Sequence, residues 1–98
     1  MAKMSSKQNI KRRSLRFSLE AAGAKEVFLM GDFNNWIPGK HPMQKDENGT
    51  WSKRVMLSPG DHEYKFLVDG QWEEDPQNNR RCPNSFGSYN SIISLSEI

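Results

Sequence analysis

The sequence contains a single cysteine, Cys82. One thiol excludes an intramolecular disulfide and leaves no partner at metal-ligand spacing, so the fold is expected without disulfides or a metal, in a reducing, cytoplasmic setting. No apolar run approaches the length of a membrane span or a secretory leader, and a soluble, non-exported protein is expected. Alanine at position 2 excludes an N-myristoylation signal. Helical periodicity, internal repeats and low-complexity segments are also missing.

The charges nearly balance. The chain of 98 residues carries 14 basic and 12 acidic side chains, a formal +2, and much of the basic excess lies in the first sixteen positions. Lys3, Lys7, Lys11, Arg12 and Arg13 stand where only Met1, Ala2, Met4 and Ile10 are apolar, so residues 1–13 are expected as a solvated, disordered tail and 14–98 as one domain. The tail has no interleaved aromatics or heptads, and neither a nucleic-acid nor a membrane partner is expected.

Catalytic patterns are lacking too. Glycoside hydrolysis needs two carboxyl groups across the scissile bond. The acidic residues instead stand at turns and strand ends: Asp46 and Glu47, Asp61 and Glu63, and the run Glu73-Glu74-Asp75, all expected to be solvated. His41 and His62 stand alone, and no nucleophile triad, phosphate-cradling loop or metal cluster is present. A non-enzyme without cofactor or metal is expected.

What is present is strand chemistry. Leu15, Phe17, Leu19 and Ala21 alternate with Arg16, Ser18 and Glu20, the period of two of a half-buried strand. Val27–Met30 is continuously apolar and predicts a central strand. Gly31–Met43, rich in Gly, Pro and Asn, predicts a loop. Strands are predicted over Trp51–Leu57, His62–Val68 and Ser91–Ser96, with a long surface loop over Pro76–Gly87. Short strands between turn signals indicate an all-β, antiparallel sandwich with one thin core.

Asp69-Gly70 is the strongest hairpin signal, since a type I′ turn needs positive φ at both central residues. With Val68 opposite Gln71, Leu67 lies opposite Trp72 and Lys65 opposite Glu74, and opposed residues share a face. Tyr64, Phe66 and Val68 form the more apolar set and are assigned to the core, which sends Lys65, Leu67, Trp72 and Glu74 outward. Trp72 then either covers Leu67 as a cross-strand pair or offers a binding platform, and register alone leaves both open. Trp36 ends Gly31-Asp32-Phe33-Asn34-Asn35-Trp36, where position by itself favours a lid over the end of the sandwich. Trp51 and Phe33 are assigned to packing.

The segments Val27-Phe28-Leu29-Met30-Gly31-Asp32-Phe33-Asn34-Asn35-Trp36 and Tyr64-Lys65-Phe66-Leu67-Val68-Asp69-Gly70-Gln71-Trp72-Glu73-Glu74-Asp75-Pro76, followed by Phe86-Gly87-Ser88-Tyr89-Asn90, resemble carbohydrate-binding module family 48. This family includes the glycogen-binding domain of the AMP-activated protein kinase β subunit. The resemblance runs from about Leu15 to Leu95. It implies an early-set, immunoglobulin-like β-sandwich that binds α-1,4-linked glucans such as glycogen, starch, maltooligosaccharides or cyclodextrin without cleaving them. It assigns Trp36 and Trp72 to sugar stacking, Lys65 and Asn90 to hydroxyl hydrogen bonds, and Ser88 to a supporting polar contact.

Phe86 falls where the kinase domain carries a leucine that projects through a cyclic glucan, and a phenyl ring there is bulkier. The chain's end at Ile98 leaves no room for the segment with which that subunit holds its partners, so a free-standing module is expected. The alternative is a regulatory module whose outer face docks onto a kinase or glucan-metabolising enzyme. Two aromatic platforms predict weak binding, with a dissociation constant on the order of micromolar to millimolar.

Overall fold

A computed structural model describes residues 12–96. Alternation builds the first strand as the sequence requires: β1 (Arg13–Glu20) buries Phe17 and Leu19 and exposes Arg16 and Glu20. It begins at Arg13, one residue before the expected domain start, and residues 1–11 of the expected tail lie outside the described residues. β1 pairs antiparallel along its whole length with β4 (Thr50–Leu57), and the two-residue β3 (Gln44–Lys45) adds to the other edge of β4.

The second sheet is organised around β5 (Gly60–Val68). One edge of β5 takes β2 (Val27–Gly31). The other is shared by β8 (Tyr89–Leu95), opposite Gly60–Tyr64, and β6 (Gln71–Glu73), opposite Phe66–Val68. β7 (Arg81–Pro83) closes the far side of β8. The two sheets face each other across a core of Phe17, Leu19, Trp51, Val55 and Leu57 from one and Val27, Leu29, Tyr64, Phe66 and Val68 from the other. Phe17 meets Tyr64 edge-on at 4.9 Å between ring centres, and the Trp51 indole donates to the Ala21 carbonyl at 2.9 Å. The architecture is an antiparallel, immunoglobulin-like β-sandwich, with Trp51 in its core.

The 69–70 turn forms as predicted. Asp69 and Gly70 both have positive φ, at 48° and 84°, and Val68 opposes Gln71 and Leu67 opposes Trp72. The Asp69 carboxylate also accepts from the amides of Lys25 and Glu26 at 3.0 and 2.9 Å, which ties the turn to the start of β2.

Several expectations are corrected. The β5–β6 ladder stops at Phe66–Glu73, so Glu74 does not oppose Lys65. Lys65 pairs with Met30 instead, and Glu74 reaches the Arg81 guanidinium at 3.4 Å. Asp75 is not simply solvated, because it accepts from the Tyr64 hydroxyl at 2.6 Å. β2 ends the strand order rather than sitting at its centre. Its outer edge is paired by the 41–43 segment, where the Leu29 amide donates to the His41 carbonyl and the Met43 amide to the Val27 carbonyl. The Pro76–Gly87 loop contains β7, where Pro83 is tolerated because an edge position does not require its missing N–H.

Candidate functional site

Because side chains alternate along β5, the face opposite the core carries Glu63, Lys65 and Leu67, with Trp72 beside them on β6. The neighbouring 84–88 loop with the start of β8, and the loop after β2, rise around this face. Together they enclose a groove of about 550 Å³. All six residues singled out by resemblance, Trp36, Lys65, Trp72, Phe86, Ser88 and Asn90, line it, along with Glu63, Asn84 and Ser85.

Trp36 reaches the groove through an unusual backbone. A short 3-10 turn (Asp32–Asn34) follows β2, and Asn35 and Trp36 then both adopt the left-handed region, at φ 56° and 57°. That region is uncommon for a residue as bulky as tryptophan and must be held by its surroundings. Asn34, only 2% exposed, does the holding. Its Oδ1 accepts from the amides of Gly31 at 3.0 Å and Trp36 at 3.1 Å, and its Nδ2 donates to the Leu29 carbonyl and to His41 Nδ1, each at 2.9 Å.

The contact with Asn34 requires His41 Nδ1 to be unprotonated. Burial, then the nearby Lys53 and Lys40 charges, hold the imidazole pKa below its ordinary value, in agreement with that state. Gly31 is fixed by space: a Cβ there would lie 2.5 Å from the Phe33 ring and 2.8 Å from the Glu63 carbonyl oxygen.

The two indoles stand together, 6.5 Å between centres and inclined at 66°. Trp72 is 51% exposed and Trp36 is half-buried, and both line the groove wall. Phe86 is 90% exposed and contributes nothing to the core.

Lys65 is on the predicted side but is not outward in the sense expected. It is 7% exposed, sunk at the groove floor, with its ammonium donating to Ser88 Oγ at 3.0 Å. Asn90 is equally buried and donates through Nδ2 to Glu63 Oε1 at 3.0 Å. Tyr89 and Asn90 begin β8 rather than belonging to the loop.

Three groove residues, Glu63, Asn84 and Ser85, were not singled out from sequence. Glu63 stood as a solvated strand-start carboxylate, and Asn84 as one of several loop asparagines. Only the alternation along β5, which puts Glu63 on the face of Lys65, carried a signal for the first.

Residues 14–98 match the family described as the glycogen recognition site of AMP-activated protein kinase. The chain belongs to that family. Relatives of this glycogen-recognition domain include 5'-AMP-activated protein kinase subunit beta-1 from Sus scrofa, 42% identical over 73 residues, or 74% of this chain and 57% of the relative. The Rattus norvegicus beta-1 subunit is 41% identical over the same share of this chain and 26% of its own length. Protein PTST homolog 2, chloroplastic, from Arabidopsis thaliana is 42% identical over 73 residues, 13% of its length. The chain thus spans less than two thirds of each of these relatives. Among the described residues no helix is long and apolar enough to cross a membrane, and no cluster of three or more His, Cys, Asp or Glu could hold a metal ion.

Proposed function

We propose that the groove binds α-1,4-linked glucan chains without cleaving them, in keeping with the family to which the chain belongs. The observation that carries this reading is the pair of indoles, 6.5 Å apart and inclined at 66°, Trp72 exposed and Trp36 half-buried, beside a buried lysine and asparagine. The C–H faces of glucose are apolar enough to pack on an indole, while its hydroxyls need donors and acceptors at the rim. Trp36 and Trp72 supply the platforms, and Lys65 and Asn90 supply the rim. Two inclined platforms suit a chain that curves, as α-1,4 glucans do, better than a flat ribbon.

Phe86, on the far lip of the groove, adds a third apolar surface for a neighbouring sugar ring. Glu63 is the only carboxylate among the groove-lining residues, and Asn90 already engages it. A glycosidase needs two carboxyl groups flanking the bond, so binding rather than hydrolysis is the reading.

The test is retention on immobilised amylose or in a glycogen-containing native gel. Wild type is expected to be retarded, and Trp36→Ala and Trp72→Ala each to abolish retardation while the melting curve stays close to wild type. Retention by the double variant would refute the proposal. A kinase or glucan enzyme captured by the same face in the presence of excess maltooligosaccharide would favour a protein-docking role instead.

A further inference from the structure

The groove floor is a connected chain of side-chain hydrogen bonds from Lys65 through Ser88, Asn84 and Asn90 to Glu63, and its members differ in how much bonding capacity they have left. At the centre is Asn84. Its Oδ1 accepts from the amides of Phe86 at 2.9 Å and Ser88 at 3.1 Å, and its Nδ2 donates to Ser88 Oγ at 2.9 Å and Asn90 Oδ1 at 3.0 Å. Both amide hydrogens and both oxygen lone pairs are thereby committed to the protein.

Ser88 is nearly spent. Its Oγ accepts from Lys65 Nζ and from Asn84 Nδ2, while its own hydrogen has only a shared place at Asn84 Oδ1, 3.2 Å away and already accepting two amides. A sugar hydroxyl could accept from Ser88, but could donate to it only by displacing one of these partners. Lys65 and Asn90 are different. Lys65 spends one of three N–H donors on Ser88. Asn90 spends one Nδ2 hydrogen on Glu63 Oε1 and one Oδ1 lone pair on Asn84, keeping one donor and one acceptor for a ligand. Most of the spare capacity sits on Lys65 and Asn90, and the more fully committed side chains brace them.

The brace has little to do with the core. Ser85, Phe86 and Gly87 are exposed, and Asn84 lies between β7 and β8 at the margin of the larger sheet. The 84–88 turn is closed by the bonds from Asn84 together with an Asn84 amide to Ser88 carbonyl bond of 2.9 Å. Phe86, at 90% exposure, contributes almost no apolar burial to folding.

We infer that Asn84 and Glu63 are positioning residues of the groove, which hold Asn90, and through Ser88 also Lys65, in a single arrangement before the ligand arrives. The inference rests on the glucan-binding reading and assigns to these two side chains the preorganisation of its polar rim. Pre-set donors need not be ordered on binding, so their loss appears as weaker affinity.

The experiment is calorimetric titration of maltoheptaose into the full chain, with thermal melts of every variant. Asn84→Ala and Glu63→Ala are each expected to weaken binding by roughly tenfold, the equivalent of one lost hydrogen bond at the rim. Glu63→Gln, which keeps an oxygen for Asn90 Nδ2, should restore most of that affinity. Amide spectra of the ligand-free protein should show Phe86 and Ser88 displaced by Asn84→Ala but not by Trp72→Ala.

Wild-type affinity in Asn84→Ala and Glu63→Ala, alongside loss in Trp72→Ala, would overturn the positioning role and leave the glucan reading standing. Equal loss in Glu63→Ala and Glu63→Gln would overturn the role of Glu63. Absence of binding by the wild type would overturn both the inference and the reading beneath it.

Discussion

Asn34 makes four hydrogen bonds from a site that is 2% exposed, and it forces Trp36 into the left-handed backbone that reaches the groove. Asn34→Ala would orphan the Gly31 amide and the Leu29 carbonyl, while the Trp36 amide keeps its bond to the Gly31 carbonyl at 3.0 Å, at a cost of about 2–4 kcal/mol in urea unfolding, in the range for breaking a buried network. His41 gives the same cradle a pH dependence. Its folded pKa is lowered, so on acidification the unfolded chain takes up the proton first. Its contribution to stability is therefore fully present above the ordinary histidine range and is lost as pH falls through about 6.5, levelling off once the folded form also protonates. Urea midpoints measured from pH 8 to pH 5 should decline less steeply in His41→Gln than in wild type. From sequence, Asn34 and Asn35 announced only a chain break; the bonds Asn34 makes depend on a strand and a histidine brought together by the fold. The six groove residues were nameable by resemblance, whereas Glu63 and Asn84 were not, because nothing in a single glutamate or asparagine announces what it will brace.

At the scale of elements, the 69–70 hairpin decides which face carries the site. Its register was legible because an Asp-Gly turn admits few geometries and a shift of one residue would have turned Trp72 into the core. Gly70→Ala should cost about 1 kcal/mol in thermal or urea unfolding through strain at φ 84° with little change in glucan affinity. Gly31→Ala should cost more, since the added carbon would meet both the Phe33 ring and the backbone of Glu63. The short strands were not legible. β3 has two residues and β7 three, too few for alternation to register, and β7 includes a proline that only an edge tolerates. The continuous apolar run of β2 does not make it central, because an apolar run reports burial of both faces and says nothing of what pairs each edge, here β5 on one and the 41–43 segment on the other.

At the scale of the whole molecule, a thin sandwich devotes one face of its larger sheet to the core and leaves the other for the groove, so stability and binding can be altered separately. A neutral sugar polymer releases no counterions when bound. Maltoheptaose affinity should therefore change less than about twofold between 50 and 500 mM salt, where a nucleic-acid contact would weaken by orders of magnitude. The central claim is that Trp36 and Trp72 are platforms for an α-1,4 glucan. Its most direct test is intrinsic tryptophan fluorescence during titration with β-cyclodextrin or maltoheptaose, with cellohexaose as the β-linked control. The account predicts a saturable change with the α-linked ligands that is greatly reduced in Trp72→Ala and absent with cellohexaose; no change in the wild type, or an equal response to cellohexaose, would contradict it.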